Sequence, residues 1–239
     1  MNNIHVIGDS HVSVFSKKNI IIPEYPPNIY MNFPFKIFRI GAPLAYNLGK
    51  RETYYNAREK IEHVFKHEII KGDSIILSFG EIDCRYHLLK QSKLQEKDIE
   101  EVIVECVERY VQSVKEIVKD NFYWINKIGF WGPIASTWLG DECSNKDCPI
   151  ADRMPMRNFV TSKFNTILKD KIDKFNKEFW KTNFYYLSIF EFLIDDKYFT
   201  KKEYYMDNIH LNQKTWPLIE NELKEKGFLN REKGFLTNG

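Results

Sequence analysis

Short apolar runs recur along the chain, and each ends at a turn-forming residue. The first run, residues 4–7, stops at Gly8-Asp9-Ser10, and the one at 74–79 is almost continuously apolar. Runs of this length bounded by Gly, Asp or Pro predict β-strands, and a continuous run is typical of a central strand covered on both faces. Five strands are predicted in this way: 4–7, 35–40, 74–79, 127–133 with its turn, and 184–188.

Between the strands, apolar residues return every three or four positions, which indicates amphipathic helices. The clearest helix covers 98–119, where Asp98 and Glu101 resemble a capping box at its start. Further helices are predicted over 44–55, 54–70 and 154–179, and a last helix from about Thr215 to Gly227.

Strands that alternate with helices favour an α/β fold, a three-layer α/β/α sandwich with a five-stranded parallel sheet. Sheets of this kind bind ligands in the crevice outside the carboxyl ends of their strands. The chain has 239 residues, 43% of them hydrophobic, and no internal repeat or linker divides it. We therefore expect a single domain over residues 1–239 with a core that needs no disulfide or metal.

The charge balance gives no general case for nucleic acid or an anionic membrane as partner, because 35 basic residues face 33 acidic ones. No stretch approaches the roughly 20 apolar residues of a membrane span, and the first strand begins too early for a signal peptide. A cytoplasmic location is expected. The chain has neither a Gly-x-Gly-x-x-Gly run nor a phosphate-loop pattern, so no cofactor is expected.

Residue types that cooperate in nucleophilic catalysis lie near both ends of the chain. Ser10 follows the first predicted strand, whereas Asp207 and His210 follow the fifth, three positions apart. A serine hydroxyl needs an imidazole to accept its proton, and a carboxylate orients that imidazole and stabilises its cation. The alternative for Gly8-Asp9-Ser10 is ordinary turn chemistry, in which Asp9 or Ser10 caps the next helix.

These blocks resemble the SGNH (GDSL-type) hydrolases, which carry an early Gly-Asp-Ser block and a late Asp-x-x-His pair. The resemblance extends to residues 79–85 and, more loosely, to 40–42. It implies the flavodoxin-like strand order 2-1-3-4-5 and a serine esterase with Ser10 as nucleophile, His210 as base and Asp207 as its orienting acid. It also implies that the N–H of Gly41 donates to the oxyanion, although Gly41 could instead merely permit a tight turn.

One block departs from the family pattern. Where the family usually has Gly-x-Asn-Asp, the chain has Gly80-Glu81-Ile82-Asp83, and Ile82 cannot replace the Asn side chain as an oxyanion donor. Arg85 could supply a donor or bind an anionic part of the substrate, or it could pair with Glu81 or Asp83. The variant Gly-Glu-Ile-Asp-Cys-Arg block resembles a branch associated with bacterial surface-glycan genes, which favours a carbohydrate O-acyl ester as substrate.

Other residues have a structural interpretation beside a functional one. His11 and His87 are expected at the rim of the site without an assigned role. His63 and His67 share a helix face but lack a third ligand, so packing is the expected role. Five aromatic residues could stack on sugars or could be packing residues: Tyr25, Tyr30, Trp131, Trp138 and Tyr205. Cysteine spacing does not predict zinc, Cys106 is expected in the core, and reduced thiols are expected at Cys143 and Cys148.

Three functions follow from these observations. The working hypothesis is a serine esterase that removes an acyl group, with acetyl as the expected group, from a small or carbohydrate ester. A carbohydrate O-acyltransferase would use the same three residues but pass the acyl group to a sugar hydroxyl. A glycan-binding module would keep the fold while Ile82 impairs catalysis. The pattern does not predict the oligomeric state.

Overall fold

Six strands form one sheet in the computed structural model, which describes residues 2–119, 124–137, 153–178 and 184–230. The strands are β1 (Ile4–Gly8), β2 (Tyr30–Asn32), β3 (Phe35–Arg39), β4 (Ser74–Ser78), β5 (Lys127–Trp131) and β6 (Phe184–Leu187). Their spatial order is β2-β3-β1-β4-β5-β6. Neighbouring strands are parallel except for β2 and β3, which are antiparallel.

The predicted parallel sheet is confirmed, because β3, β1, β4, β5 and β6 reproduce the order 2-1-3-4-5. The addition is β2, an edge strand of three residues. An antiparallel edge on a parallel sheet is common in α/β folds. A strand this short carries too few residues for a recognisable alternating pattern, which is why the sequence did not predict it.

Helices cover the sheet, and they are α1 (Ala57–His67), α2 (Leu88–Gln95), α3 (Ile99–Val118), α4 (Met154–Glu178), α5 (Phe190–Leu193) and α6 (Trp216–Glu225). The helix predicted over 98–119 is confirmed, and the Asp98 side chain caps it by accepting a hydrogen bond from the Glu100 amide. The helices predicted over 54–70, 154–179 and after Thr215 are confirmed as α1, α4 and α6.

The helix predicted over 44–55 is wrong, since this segment forms only a short 3-10 turn, Ala45–Asn47. Conversely, the segment after β4 is more helical than predicted, with a π-helical stretch, Asp83–His87, that leads into α2. Within the described residues, the helices lack the combined length and hydropathy of a membrane span.

Alternate strand residues contribute to two apolar cores, one on each face of the sheet. Ile7 and Leu77 pack with residues of α1, α3 and α4. Val6 and Ile76 pack on the opposite face with residues of α5, α6 and the 3-10 helix Ser10–Ser16. Because β1 and β4 are buried on both faces, the architecture is a three-layer α/β/α sandwich.

The strand register brings the carboxyl ends of neighbouring strands to one level. Gly8 pairs with Arg39 on one side and with Ser78 on the other. Ser78 pairs in turn with Trp131, and Trp131 with Leu187. Residues that follow these positions by two or three places therefore share one edge of the sheet.

Candidate active site

Ser10 lies at this edge, two residues beyond the end of β1. Its Oγ is 2.8 Å from Nε2 of His210, and Nδ1 of His210 is 2.8 Å from Oδ2 of Asp207. The fold thus joins residues 200 positions apart in the sequence. Ser10, His210 and Asp207 form a candidate triad, a continuous chain of hydroxyl, imidazole and carboxylate.

The loop that carries Asp207 and His210 is fixed by its own hydrogen bonds. Oδ1 of Asp207 accepts from the backbone N–H of Ile209 at 2.7 Å and from that of His210 at 2.6 Å. A β-bridge between Tyr205 and Leu211 closes the loop. This Asx-type turn leaves Oδ2 for the imidazole, so the spacing of three positions has a local physical cause.

The electrostatics favour a neutral imidazole beside an ionised carboxylate. Burial lowers the pKa of His210 below its usual 6.5, and nearby His11 adds to this effect, although the bond to Asp207 opposes it. Burial would raise the pKa of Asp207, but the hydrogen bonds from the backbone and side chain of His210 lower it. A neutral imidazole is the form that can accept a proton from serine. The site is open to solvent, because the Asp207 side chain is 47% exposed and that of His210 is 17% exposed.

Gly41 lies two residues beyond β3, at the level of Ser10 in the sheet. Its φ of +107° favours glycine, and a Cβ at this position would lie 2.4 Å from a ring atom of Tyr55. The backbone N–H of Gly41 has no acceptor among the described residues. Gly41 therefore meets the conformational requirement of the turn and also leaves its backbone N–H available to donate to a ligand.

The variant block forms a buried network beside the triad. Nε of Arg85 donates to Oε1 of Glu81 at 2.8 Å, and Oε2 of Glu81 is 3.0 Å from Nε2 of His11. Burial would raise the pKa of Glu81, but the charges of His11 and Arg85 and their hydrogen bonds lower it to about 2. The rings of His11 and His210 are 5.3 Å apart. The network therefore adjoins the triad.

Arg85 pairs with Glu81 and not with Asp83. Within the described part of the chain, its terminal nitrogens have no hydrogen-bond partner, and its side chain is 21% exposed. A guanidinium held at Nε keeps its two NH2 groups in a fixed plane. Ile82 is half-buried and has no polar side-chain atom, so Arg85 is the group of this block with unused donors.

Asp83 has a different task, because it anchors the segment that follows Gly41. Its carboxylate accepts from the backbone N–H of Ala45 at 2.8 Å and from that of Tyr46 at 3.3 Å. Burial raises the pKa of Asp83 to about 6, although these hydrogen bonds act in the opposite direction. The contact anchors residues 45–47 to a distant part of the chain. The predicted helix over 44–55 is interrupted at Glu52, whose φ of +54° is left-handed and incompatible with an α-helix.

Most of the aromatic candidates for sugar stacking are packing residues. Tyr25 is 4% exposed, Trp131 3% and Tyr205 9%, so their ring faces are not available to a ligand. Tyr30 lies half-buried on β2, and Trp138 lies outside the described residues.

The remaining histidine and cysteine candidates do not contact the triad. Nδ1 of His63 is 2.6 Å from the Tyr25 hydroxyl, and the His63 ring lies 4.3 Å from that of His67 at an angle of 38°. His87 packs against Tyr86. Across the described residues, no cluster of three or more His, Cys, Asp or Glu side chains could hold a metal ion. Cys84 and Cys106 are buried free thiols, and Cys143 and Cys148 lie outside the described residues.

Comparison with known proteins finds similarity in structure but not in sequence. No protein-family model matches the chain, and no curated protein matches its sequence. An acetyl-xylooligosaccharide esterase from Geobacillus stearothermophilus, in a mutant form, is 14% identical over 95% of both chains, with a TM-score of 0.51. A Bacteroides fragilis protein provisionally described as an acylhydrolase is 13% identical over 94% of this chain and 85% of that chain, with a TM-score of 0.51.

The OSK domain of Drosophila Oskar is a further structural neighbour. It is 9% identical over 92% of this chain and 86% of that chain, with a TM-score of 0.50. At these identities the similarity shows a shared fold.

Proposed function

We propose that the protein is a serine esterase of the SGNH type that removes an acyl group, with acetyl as the expected group, from a small or carbohydrate ester. The observation that carries this proposal is the chain of contacts from Ser10 through His210 to Asp207 at the carboxyl edge of the sheet. The fold alone does not choose this activity, because its neighbours include the OSK domain as well as proteins described as esterases.

The Geobacillus neighbour supports the choice of residues. Its catalytic mutants replace a serine, an aspartate and a histidine, and the last two lie three positions apart. Asp207 and His210 have the same spacing in this chain. That neighbour's acetylated carbohydrate substrate, together with the resemblance of the variant block, supports a carbohydrate ester as the substrate class.

In the proposed reaction, Ser10 Oγ attacks the ester carbonyl while His210 Nε2 takes the hydroxyl proton. His210 then gives this proton to the leaving alcohol, which leaves an acyl-enzyme on Ser10. A water molecule loses a proton to His210 and attacks the acyl-enzyme, and the collapse of the second intermediate returns the proton to Ser10 as the acid departs. Asp207 orients the imidazole and stabilises its cationic form in both half-reactions.

The oxyanion of each intermediate needs hydrogen-bond donors. In this proposal, the N–H of Gly41 and the terminal N–H groups of Arg85 supply them, and Arg85 takes the place of the side-chain amide that Ile82 lacks. The support is that both groups are without an acceptor among the described residues. Loss of one such donor typically costs about 3 kcal/mol of transition-state stabilisation.

A serine-directed fluorophosphonate tests whether Ser10 is an activated nucleophile. Wild-type protein should be labelled on the peptide that contains Ser10, whereas folded Ser10→Ala should stay unlabelled, since the reagent needs a nucleophile beside a base. Label on a different residue, or none on folded wild-type protein, would reject the esterase and favour the non-catalytic glycan-binding module.

Hydrolysis is favoured over transfer because the exposed Asp207 and the partly exposed His210 leave the site accessible to water. Incubation with an activated acetyl ester, with and without a panel of sugars, separates the two reactions. Free acetate at a rate independent of the sugars supports the esterase, while acetylated sugar that forms faster than acetate supports the O-acyltransferase.

A further inference from the structure

His11 is a second histidine at the site, and the proposed mechanism gives it no task. It directly follows Ser10, is only 8% exposed, and has its ring 5.3 Å from that of His210. Its backbone N–H donates to Oδ1 of Asp9 at 2.9 Å, and its ring Nε2 is 3.0 Å from Oε2 of Glu81. Glu81 thus contacts the imidazole itself, and Asp9, which is also buried, binds the backbone of the same residue.

The contact with Glu81 determines which atom carries the proton between them. Because the pKa of Glu81 is lowered to about 2, its carboxylate is ionised near neutral pH. An ionised carboxylate accepts hydrogen bonds and cannot donate them. Nε2 of His11 is therefore the donor.

The other ring nitrogen determines the charge of His11. Nδ1 of His11 and Oδ2 of Asp9 are both buried, and neither has a hydrogen-bond partner among the described residues. In a neutral ring with its proton on Nε2, Nδ1 presents a lone pair in the negative field of Asp9. A proton on Nδ1 turns this repulsion into attraction.

The charge count of the cluster favours the same state. With Glu81 negative and Arg85 positive, the Asp9 carboxylate is balanced only if His11 is positive, and an unbalanced buried charge is costly. Burial would lower the pKa of His11, but the charges of Asp9 and Glu81 raise it above its usual 6.5. Burial also raises the pKa of Asp9, and the charge of His11 opposes that rise.

We propose that His11 is a positioning residue which, as an imidazolium held by Glu81 in the negative field of Asp9, keeps His210 in its neutral, proton-accepting form. This inference rests on the proposed function, because it assigns His210 the task of base. The charged groups that act on His210 are Asp207 from its own loop, His11 from the 3-10 helix after β1 and Glu81 from the segment after β4. Arg85 is hydrogen-bonded to Glu81.

These groups act on His210 in opposite directions. Asp207 and Glu81 favour a proton on His210, whereas the positive charge of His11 disfavours it. Removal of the His11 charge therefore leaves the two carboxylates unopposed and raises the proton affinity of His210. The base would then become protonated, and inactive, at a higher pH.

NMR titration of the histidine rings in isotope-labelled, full-length protein tests the inference without turnover. Assignment uses His11→Gln and His210→Gln. In wild-type protein, His11 should be doubly protonated near neutral pH. In His11→Gln, where the amide can still donate to Glu81, the titration midpoint of His210 should rise by about one pH unit. His67→Gln removes an exposed histidine of α1 and should leave that midpoint unchanged.

A neutral His11 in wild-type protein, with the proton on Asp9 instead, would overturn the inference, and so would an unchanged His210 midpoint in folded His11→Gln. If His11→Gln does not fold, Glu81→Gln replaces it, and the titration midpoint of His11 should then fall. The acid limb of kcat/KM should move with the His210 midpoint. Failure of the proposed function would be recognised separately: the His210 midpoint would still rise in His11→Gln, but the wild-type protein would hydrolyse no ester.

Discussion

Two histidine–aspartate pairs of almost equal length differ in what surrounds them. His5 Nε2 is 2.7 Å from Oδ2 of Asp73, and His210 Nδ1 is 2.8 Å from Oδ2 of Asp207. The first pair is 0% and 1% exposed, whereas the second is 17% and 47% exposed. The second ring nitrogen of His5 is buried without a partner among the described residues, while that of His210 contacts Ser10.

A carboxylate partner alone therefore does not distinguish the proposed base His210 from His5. Asp73 precedes β4 and also accepts hydrogen bonds from the backbone of Asn3 and Ile70, so its pair with His5 connects the amino ends of strands. Asp207 and His210 lie at the opposite, carboxyl edge, where loops are accessible to a ligand. Position in the sheet, solvent access and a partner for the free nitrogen separate a structural pair from a proposed catalytic one.

The largest effect should come from removing each imidazole in turn. His210→Ala should lower kcat/KM by about 1,000-fold or more with little change in melting temperature, because it removes the base but no core packing. His5→Ala should leave kcat/KM close to wild type and lower the free energy of unfolding by about 3 kcal/mol, because Asp73 stays buried without its partner. Ester hydrolysis and urea unfolding measure the two quantities. Equal losses of activity and stability in both variants would break the comparison.

An intermediate effect should come from the substitution of Arg85. A similar arginine–glutamate pair away from the site provides the control. Arg85→Ala should lower kcat/KM by about 100-fold, the typical effect of one lost oxyanion donor. Arg58→Ala is the matched control, because its Nε also binds a glutamate four residues away, Glu62, at 3.0 Å. It should leave kcat/KM unchanged. Similar, small losses in both variants would assign Arg85 a structural role.

The smallest effects should appear in the pH dependence of activity and of stability. Burial lowers the pKa of both His5 and His210 below 6.5. Activity needs neutral His210, so the acid limb of kcat/KM should have its midpoint below pH 6.5. For His5, the folded state binds fewer protons than the unfolded chain between its lowered pKa and 6.5. Stability should therefore be lost as pH falls through this window, and His5→Gln should reduce that loss. An acid limb that follows His5→Gln instead would contradict the separation of the pairs.

The sequence predicts the candidate triad residues better than their surroundings. Ser10 follows an apolar run, Asp207 and His210 belong to one short segment, and the resemblance of these blocks to the SGNH hydrolases singles them out. The alternation of strands and helices then predicts the parallel sheet that brings both ends of the chain to one edge. Each of these inferences depends on neighbours in sequence.

The contacts that the sequence did not reveal are those set by register. His11 and Glu81 lie 70 positions apart, but each is three residues beyond one of the paired strand ends Gly8 and Ser78. Their pairing could have been suspected only from an aligned register of β1 and β4. The contact between Ala45 and Asp83 likewise joins residues 38 positions apart, and no local pattern indicates it.

The central claim is that Ser10 becomes covalently acylated with the help of His210. Rapid acid quench of the protein with an activated acetyl ester, followed by mass spectrometry of its peptides, tests this claim most directly. Wild-type protein should carry one acetyl group on the peptide that contains Ser10, and folded Ser10→Ala should carry none. Ester hydrolysis by Ser10→Ala at the wild-type rate, or acetylation confined to a different peptide, would contradict it.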